Sequence, residues 1–381
     1  MEAVSTPGVI IPAFAEPHVH VDRAFSHPIT GPNSTGDLTE AVVRFADAAE
    51  QMTIAALVPG CSRLLALLAA SGVWHVRTHT AVGGTLGFRA WDAVELAATS
   101  HPELRVQQVA MPVDPNTDRP DVRAWLREAA SRGAVAVGGA PWLARDPVRS
   151  TRRSAEIAAE LDIGLDLHVD ETDDPSVDTI PVLAEAVEVN GLQGRAVASH
   201  CCSMSGRGAA VIAQEADALA EAQVAVVICP VTNLSLQGRS VGGRGIAPVA
   251  ALRHAEVMIG VGIDNVRDVV SGLGTPDPLR SAWLLALAAH LTRESDLTWL
   301  GEVVTRANRA ICGVGESEGP RVLIEADDLA EAVALVPGRR RLAGQATTRG
   351  TDGEDPPAVP LRAARRDMTS GEQPKHCGVG S

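Results

Sequence analysis

A chain of 381 residues with 45% hydrophobic and 21% charged residues carries enough apolar surface for a large core, which excludes disorder for most of its length. Its 33 basic and 47 acidic residues give a net charge of −14, the wrong sign for binding nucleic acid or anionic lipid through counterion release. We therefore expect neither nucleic acid nor a membrane as a partner.

The first residues of the chain and its cysteines indicate where in the cell the protein is expected. The start MEAVSTPGVIIPAF has an acidic residue where a secretory signal would be basic, and its apolar stretch is short and interrupted by proline. The apolar segment 283–289 is far shorter than the roughly 18 residues that span a bilayer. Six cysteines without CxxC spacing favour reduced, buried thiols over disulfides. These features predict a soluble, cytoplasmic protein and leave a homo-oligomer open.

Short β-branched runs alternate with Ala-, Leu- and Glu-rich segments at helical spacing, which is the pattern of parallel strands joined by crossover helices. The predicted strands, in chain order, are 9–17, 73–80, 104–112, 134–139, 163–170, 196–201, 224–228 and 257–264. Eight such units fit a (β/α)₈ TIM barrel, which usually needs about 250 residues. We therefore assign residues 9–312 to an α/β barrel.

The last hundred residues add elements beyond the eight units. Two further helices are predicted over 279–290 and 298–311. Residues 313–344 contain a short apolar stretch that we expect to form a partial accessory β segment together with the start of the chain. From 345 to 381 the composition turns to Thr, Gly, Asp, Pro and Arg without periodicity, which predicts a disordered tail.

Barrel enzymes carry their chemistry at the carboxyl ends of strands, and here most predicted strands end in histidine or carboxylate. Residues i and i+2 of a strand share a face, so His18 and His20 can point together into the barrel mouth and bind one metal. Three neutral imidazoles and one carboxylate suit Zn²⁺ or Fe²⁺ and leave a position open for water. The polar residues that end the predicted strands are Glu16, His18, His20, Arg77, His79, His168, Glu171, His200, Asp264 and Asn265.

Several longer motifs contain these residues. They read PAFAEPHVHVDRA, GVWHVRTHTAV, DLHVDETDD, VASHCCSMS, ICPVTNLSLQGR and GIDNVRD, and they lie in this order between about residues 9 and 312. With these motifs the chain resembles the amidohydrolase superfamily, and within it the cytosine deaminase-like branch. The whole set is far more specific than a single HxH pair.

The resemblance implies roles for individual residues. Glu171 matches the family's proton shuttle, and His200 matches the residue that orients the attacking water or the developing oxyanion. Asp264 can also accept the proton of the attacking water. The metal ligands that the resemblance implies are His18, His20, His168 and Asp264.

The number of metal ions follows from a missing residue type. Binuclear members of the superfamily usually bridge two metals with a carboxylated lysine at the end of strand four. The corresponding segment AVAVGGAPWLARDP has no lysine, and Lys375 is the single lysine of the chain. We therefore predict one divalent metal ion, Zn²⁺ or Fe²⁺, as the cofactor.

The substrate is less well defined because the sequence departs from cytosine deaminases. Val113 stands where those enzymes have a glutamine that contacts the pyrimidine, and Asn265 stands where they have a second aspartate. Val269 and Val270 replace an aromatic surface. A site that has lost such hydrogen-bonding groups discriminates against the substrate that needs them, which makes cytosine itself a doubtful substrate. Amino-triazines, substituted pyrimidines and other cyclic amidines fit equally well.

Six residues are candidates for substrate contact, and four of them have an alternative role. Arg77 and His79 can contact substrate or support the metal ligands. Gln237, in NLSLQGR, can contact substrate or anchor a loop, and Trp142 can stack on a heterocycle or pack in the interior. The complete candidate set is Arg77, His79, Val113, Trp142, Gln237 and Asn265.

These observations predict a mononuclear metal-dependent hydrolase that cleaves a C–N bond of a nucleobase-like or other nitrogen heterocycle. Two alternatives remain open: removal of an amine from a triazine or amide substrate, and a non-catalytic binding protein on a retained barrel. A protein that had lost catalysis would be expected to have lost part of the cluster, whereas every member is present. The partner is then a small heterocyclic substrate.

Overall fold

Parallel strands that follow one another in the chain form the centre of this computed structural model, which describes residues 8–239, 243–338 and 340–343. The strands of the described part are β1 (Val9–Pro12), β2 (Phe14–Val19), β3 (Val73–Val82), β4 (Arg105–Pro112), β5 (Ala136–Gly139), β6 (Gly164–Val169), β7 (Ala196–His200), β8 (Val224–Ile228), β9 (Ile259–Val261), β10 (Arg321–Ile324) and β11 (Arg340–Ala343). Strands β2 to β9 each pair in parallel with the next, and β1, β10 and β11 form a separate antiparallel sheet. The predicted barrel with a small accessory β segment is confirmed.

The strand predicted over 9–17 is wrong as a single element. The chain forms β1, which pairs antiparallel with β10, and then crosses at Ala13 into β2, the first barrel strand. Ala13 N–H donates to the carbonyl of Pro320, whereas Phe14 N–H donates to the carbonyl of Gly72 beside the barrel. Pro12 has no N–H to continue a ladder, so the strand ends where the proline stands.

The barrel closes between its first and last strands. Val19 forms a parallel bridge with Asp264, which lies three residues after β9 ends. Asp264 N–H donates to the carbonyl of His18 at 2.8 Å, and His20 N–H donates to the carbonyl of Asp264 at 3.4 Å. The backbone of this seam therefore carries three candidate metal ligands.

Helices follow the barrel strands and cover the outer face of the sheet, as parallel connections require. The α-helices of the described part are α1 (His27–Thr30), α2 (Leu38–Ala48), α3 (Ile54–Ala70), α4 (Arg89–Ala98), α5 (Pro120–Ser131), α6 (Pro147–Glu160), α7 (Ile180–Val189), α8 (Ala209–Glu221), α9 (Pro230–Leu236), α10 (Val249–His254), α11 (Pro278–Ala288), α12 (Glu294–Glu302), α13 (Asn308–Ile311) and α14 (Leu329–Leu335). Short 3₁₀ turns span Val21–Arg23, Pro141–Leu143 and Ser203–Gly206. The helix predicted over 298–311 is a continuous run in which a π-helical turn, Val303–Ala307, joins α12 to α13.

Helix α3 shows why these segments are helical and how they support the site. Thr53 caps its start, with Oγ1 accepting from the N–H of Ala56 at 3.2 Å. Its buried residues recur every three or four positions, which gives one face that packs on the core. Gly60 is needed where this helix meets the turn after His20, because a Cβ there would lie 2.1 Å from the carbonyl oxygen of Ala24.

The accessory sheet is fastened to the barrel by a buried arginine of α13. Arg309 is 1% exposed and donates to the backbone carbonyls of Ala13, Gly315 and Glu318 at 2.8, 2.6 and 2.6 Å. Its guanidinium thus joins the crossing between β1 and β2 to the loop that leads into β10. The domain boundaries at 312 and 344 stay predictions, and the predicted tail over 345–381 lies outside the described residues. Among the helices described, none is long and apolar enough to cross a membrane.

Candidate metal centre

Strand ends on different sides of the barrel bring the predicted metal ligands and catalytic residues together in the interior. Each of these side chains is at most 5% exposed. Two come from β2 and its end, two from the end of β6, one from β7 and one from the seam after β9. The residues are His18, His20, His168, Glu171, His200 and Asp264.

Three short distances link the four predicted ligands. His20 Nε2 lies 3.1 Å from His168 Nε2 and 3.4 Å from Asp264 Oδ1. His18 Nε2 lies 3.6 Å from the same carboxylate oxygen. Ligand atoms bound about 2.0–2.1 Å from a tetrahedral ion lie about 3.3 Å from one another. These three separations are close to that spacing, whereas neither of the two groups whose ligand atoms all lie within 4.8 Å of one another contains His20.

Hydrogen bonds on the far side of the rings orient the ligands. His20 Nδ1–H donates to the carbonyl oxygen of His79 at 3.0 Å, which leaves Nε2 of His20 without a proton. His18 Nδ1 is hydrogen-bonded to the hydroxyl of Ser199 at 2.8 Å. Both imidazoles are thus held from behind with Nε2 facing Asp264.

Burial keeps His20 and His168 neutral, as metal ligation requires. Desolvation lowers the pKa of His20 and of His168 well below the usual value for histidine. Burial on its own would raise the pKa of Asp264, but the interaction of its carboxylate with the ring of His18, 3.6 Å away, outweighs burial and holds that pKa below the usual range. The centre therefore offers bare nitrogens and an ionised carboxylate.

Several buried polar atoms at this centre have no hydrogen-bond partner in the described part of the chain. They are His18 Nε2, His168 Nδ1, His200 Nε2 and both oxygens of Asp264. Buried polar atoms are rarely left unpaired, and such atoms indicate a ligand or ion. This donor set of imidazoles and a carboxylate fits a divalent cation such as Zn²⁺ or Fe²⁺.

Two overlapping groups of potential ligand atoms lie within 4.8 Å of one another: His18 with His79 and His168, and His18 with His200, Cys229 and Asp264. Cys229 was not among the sequence predictions. Burial raises the pKa of its thiol well above the usual value, so it stays protonated and is a poor ligand.

The two predicted proton-transfer residues lie next to each other. His200 Nδ1 is 3.8 Å from Glu171 Oε1. Burial, followed by the negative charge of Asp264, raises the pKa of Glu171 well above the usual range, which allows its carboxyl to hold a proton near neutral pH. Burial lowers the pKa of His200 to about 3, so this ring is neutral.

The sequence of the chain matches the profile of a known enzyme family. The sequence profile of the Amidohydrolase family matches residues 75–306, which is more than half of the chain. The chain belongs to this family. The predicted membership of the amidohydrolase superfamily, and the predicted class of hydrolases that act on C–N bonds, are confirmed.

Individual proteins that are similar to this amidohydrolase are named as deaminases or aminohydrolases. Pterin deaminase from Rhizobium rhizogenes is 29% identical over 319 residues, which cover 80% of this chain and 71% of that protein. The crystal structure of 5-methylcytosine deaminase from Klebsiella pneumoniae with 5-fluorocytosine is 25% identical, with a TM-score of 0.82 over 92% of this chain and 89% of that one. The structure of N-isopropylammelide isopropylaminohydrolase from Burkholderia multivorans is 26% identical, with a TM-score of 0.75 over 88% and 85%. The chain therefore has cytosine deaminase-like relatives, as predicted.

An ion-pair network that the sequence did not reveal supports the ligands of the amidohydrolase from below. Asp166 lies two residues before His168 on β6 and is fully buried. Its carboxylate is 3.2 Å from Arg77 Nε and 3.4 Å from His79 Nε2. The ring of His79 stacks on that of His18 with centroids 4.0 Å apart. The i, i+2 spacing in DLH was the one signal that could have indicated this network.

The other predicted substrate residues occupy different surroundings. Gln237 uses both ends of its amide within the protein, because Nε2 donates to the carbonyl of Glu171 at 3.1 Å and Oε1 accepts from the thiol of Cys202 at 3.9 Å. Asn265 Nδ2 donates to Asp268 Oδ2 at 2.6 Å. The contact with Glu171 makes Gln237 an anchor for the loop after β6.

The remaining two candidates lie after β4 and β5. Val113 follows β4 and is 40% exposed, with its N–H donating to the carbonyl of Val82 at 3.0 Å. Trp142 is half-buried in the 3₁₀ turn after β5, and its indole N–H has no hydrogen-bond partner within the described residues. A contact of Trp142 with substrate therefore stays a prediction.

Proposed function

We propose that this amidohydrolase is a hydrolytic deaminase that removes ammonia or a small amine from an amino-substituted nitrogen heterocycle, using one divalent metal ion. The observation that carries the proposal is the pair of facing nitrogens, His20 Nε2 and His168 Nε2, which lie 3.1 Å apart, with His20 Nε2 3.4 Å from the carboxylate of Asp264. Nε2 of His20 carries a lone pair because its Nδ1–H donates to the carbonyl oxygen of His79, so a cation would take the place of a proton between the two nitrogens. Relatives named as deaminases and aminohydrolases support the reaction class.

The proposed centre holds one Zn²⁺ or Fe²⁺. His18, His20, His168 and Asp264 would bind it, and the barrel strands contain no lysine that could bridge a second ion. When bound, the cation supplies the Lewis acidity that lets a water molecule ionise near neutral pH.

The surrounding residues then move protons and hold charge. The carboxylate of Asp264 takes a proton from the attacking water, and Glu171, whose raised pKa keeps it protonated, gives a proton to the ring nitrogen next to the attacked carbon. The departing amine receives a proton through the same carboxyl group. His200 stabilises the negative charge that develops on oxygen in the transition state, through an N–H of its ring.

The proposed substrate is a small heteroaromatic ring that carries an exocyclic amine. Pterin, 5-methylcytosine and N-isopropylammelide, named for the relatives, share an amino-substituted carbon next to a ring nitrogen. Val113 has no amide, and the amide of Asn265 already donates to Asp268, so fewer amide groups are available to hydrogen-bond cytosine. This favours heterocycles with a different pattern of donors and acceptors, or with an alkylated amine. Removal of an alkylamine from a triazine is the second candidate, and the aliphatic pair Val269 and Val270 favours it.

The experiment is a steady-state assay of ammonia or amine release by zinc-loaded protein. The panel comprises cytosine, 5-methylcytosine, isocytosine, pterin, ammelide and N-isopropylammelide, with the Glu171→Gln variant as the matched control. We expect at least one compound to be hydrolysed with a kcat/KM of about 10⁴ M⁻¹s⁻¹ or higher, and the variant to lose most of that rate. Turnover that is equal in the wild type and the variant would overturn the mechanism. No turnover of any compound by fully metal-loaded protein would overturn the proposed substrate class.

The expectations that nucleic acid and membranes are not partners, that the location is cytoplasmic, and that a homo-oligomer is open all stay predictions. They do not bear on the reaction.

A further inference from the structure

Asn233 is a fully buried residue of α9 that touches the candidate centre from the side of β8. Its Nδ2 lies 2.9 Å from His200 Nδ1. Its Oδ1 lies 3.2 Å from the backbone nitrogen of Cys229. Asn233 takes no part in the proton transfers proposed for Asp264 and Glu171.

These two contacts fix the orientation of the amide. A backbone N–H can only donate, so the end of Asn233 that faces Cys229 must be the carbonyl oxygen. The end that faces His200 is then the NH₂ group, which can also only donate. His200 Nδ1 must therefore accept, and in a neutral imidazole the proton has to sit on Nε2.

His200 Nε2 faces the reacting centre. The ring of His200 belongs to a group of potential metal ligands with His18 and Asp264, and because Asn233 occupies its Nδ1, Nε2 is the nitrogen left to face that group. It is buried, and within the described residues it has no hydrogen-bond partner. A proton on this nitrogen has no protein acceptor, so it is available to an oxygen that becomes negative in the reaction.

A competing arrangement explains why the tautomer needs to be fixed. Glu171 Oε1 lies 3.8 Å from the same Nδ1. Whenever Glu171 gives up its proton, its carboxylate would attract a proton to Nδ1 and leave Nε2 bare, and a bare Nε2 would repel a developing oxyanion. The NH₂ group of Asn233 occupies Nδ1 and opposes this change.

We propose that Asn233 is a positioning residue that holds His200 in the tautomer with its proton on Nε2, so that this N–H is directed at the oxygen attacking the substrate. The inference rests on the proposed role of His200 in the deaminase reaction. Asn233 itself touches neither substrate nor metal and acts through the ring of His200.

The test compares Asn233→Asp with the wild type in two measurements. The aspartate has nearly the same shape and can still accept from Cys229, but it presents an oxygen to His200 Nδ1 and therefore draws the proton there. Long-range ¹H–¹⁵N spectra of zinc-loaded protein with labelled histidine report which ring nitrogen carries the proton, and the His200 signal is assigned by its loss in His200→Gln. We expect Nε2–H in the wild type and Nδ1–H in the variant.

Steady-state kinetics give the second measurement. Loss of one oxyanion donor typically lowers kcat by about 10²–10³-fold, so we expect a loss of this size with KM changed by less than about threefold. Asn233→Ala should fall between the two proteins because it leaves Nδ1 without a fixed partner. Asn190→Asp, the same substitution at the end of α7, should keep both the His200 tautomer and the wild-type kcat.

Each outcome is decisive. A wild-type spectrum with the proton on Nδ1 would overturn the inference whatever the activity, and so would an Asn233→Asp protein that keeps the proton on Nε2. If Asn233→Asp does not fold, the wild-type and Asn233→Ala spectra still decide the tautomer. An Nε2 proton in a wild type that hydrolyses no heterocycle would contradict the proposed function and leave the tautomer assignment standing.

Discussion

Val19 and Asp264 pair across the seam of the barrel, where the first barrel strand meets the end of the last. The same seam places the Asp264 carboxylate 3.6 Å from His18 Nε2 and 3.4 Å from His20 Nε2. Closure of the fold and assembly of the candidate metal centre therefore depend on one stretch of backbone. A cation bound there would hold the two edges of the sheet together.

The first prediction is that metal stabilises the folded protein. A ligand that binds only the native state adds about 2.7 kcal/mol at a concentration 100 times its Kd. We expect Zn²⁺ added to chelator-treated protein to raise Tm, as measured by differential scanning calorimetry. Asp264→Ala should abolish most of the increase, while Asp92→Ala on the outer surface should keep it. An unchanged Tm of the wild type after addition of Zn²⁺ would show that metal binding does not stabilise the seam of the barrel.

The second prediction separates ligands from proton carriers. Glu171→Gln keeps the shape of the side chain and removes the proton that it transfers, so it should retain bound metal and lose most of its turnover. His168→Ala removes a ligand and should lose both metal and turnover. Elemental analysis of the two purified variants checks this. Equal loss of metal from both would make Glu171 a ligand.

The third prediction concerns the ion pair below the ligands. Asp166→Ala leaves the guanidinium of Arg77 buried without its partner, which typically costs about 3–5 kcal/mol of unfolding free energy. Urea unfolding of the zinc-loaded protein measures it. Asp92→Ala, which breaks the exposed pair with Arg132, should cost no more than about 1 kcal/mol.

A double variant tests the same pair from the other side. Replacing a buried ion pair by apolar residues of similar volume is often neutral. Asp166→Leu combined with Arg77→Met should therefore recover part of the stability lost in Asp166→Ala. A double variant as unstable as the single one, or a single variant as stable as the wild type, would show that the pair does not support this part of the barrel.

The fourth prediction concerns specificity. Val113 offers no amide to the polar edge of cytosine, and a buried polar group left without a partner costs about 1–3 kcal/mol. We expect kcat/KM for cytosine to lie below about 10⁴ M⁻¹s⁻¹ and below that of an alkylated or differently substituted ring. Introducing Val113→Gln should raise the value for cytosine. Efficient deamination of cytosine by the wild type would contradict this interpretation of the pocket.

Much of the barrel could be predicted from the sequence because its strands are continuous apolar runs with polar residues at one end. That pattern placed His18, His168 and His200 at strand ends, and parallel pairing carries such residues to one rim. The first strand was predicted wrongly because its apolar run continues through Pro12, and only pairing with β10 shows that the run belongs to two sheets.

The supporting contacts could not be predicted, for a physical reason. The partner of Asp166 depends on the register between strands that are far apart in the chain, and the sequence does not encode that register locally. The same holds for Asn233, whose amide reaches His200 from another βα unit. Gln237 was predicted to contact either substrate or a loop, and its bond to the carbonyl of Glu171 favours the loop.

The central claim is that one divalent ion at the centre of His18, His20, His168 and Asp264 drives hydrolysis, and its most direct test is a titration. Metal-free protein is titrated with Zn²⁺, or with Fe²⁺ without oxygen, while hydrolysis of the best substrate of the panel is measured. We expect activity to rise linearly and to reach its maximum at one equivalent of metal per chain. A maximum at two equivalents, or full activity in the metal-free protein, would contradict it.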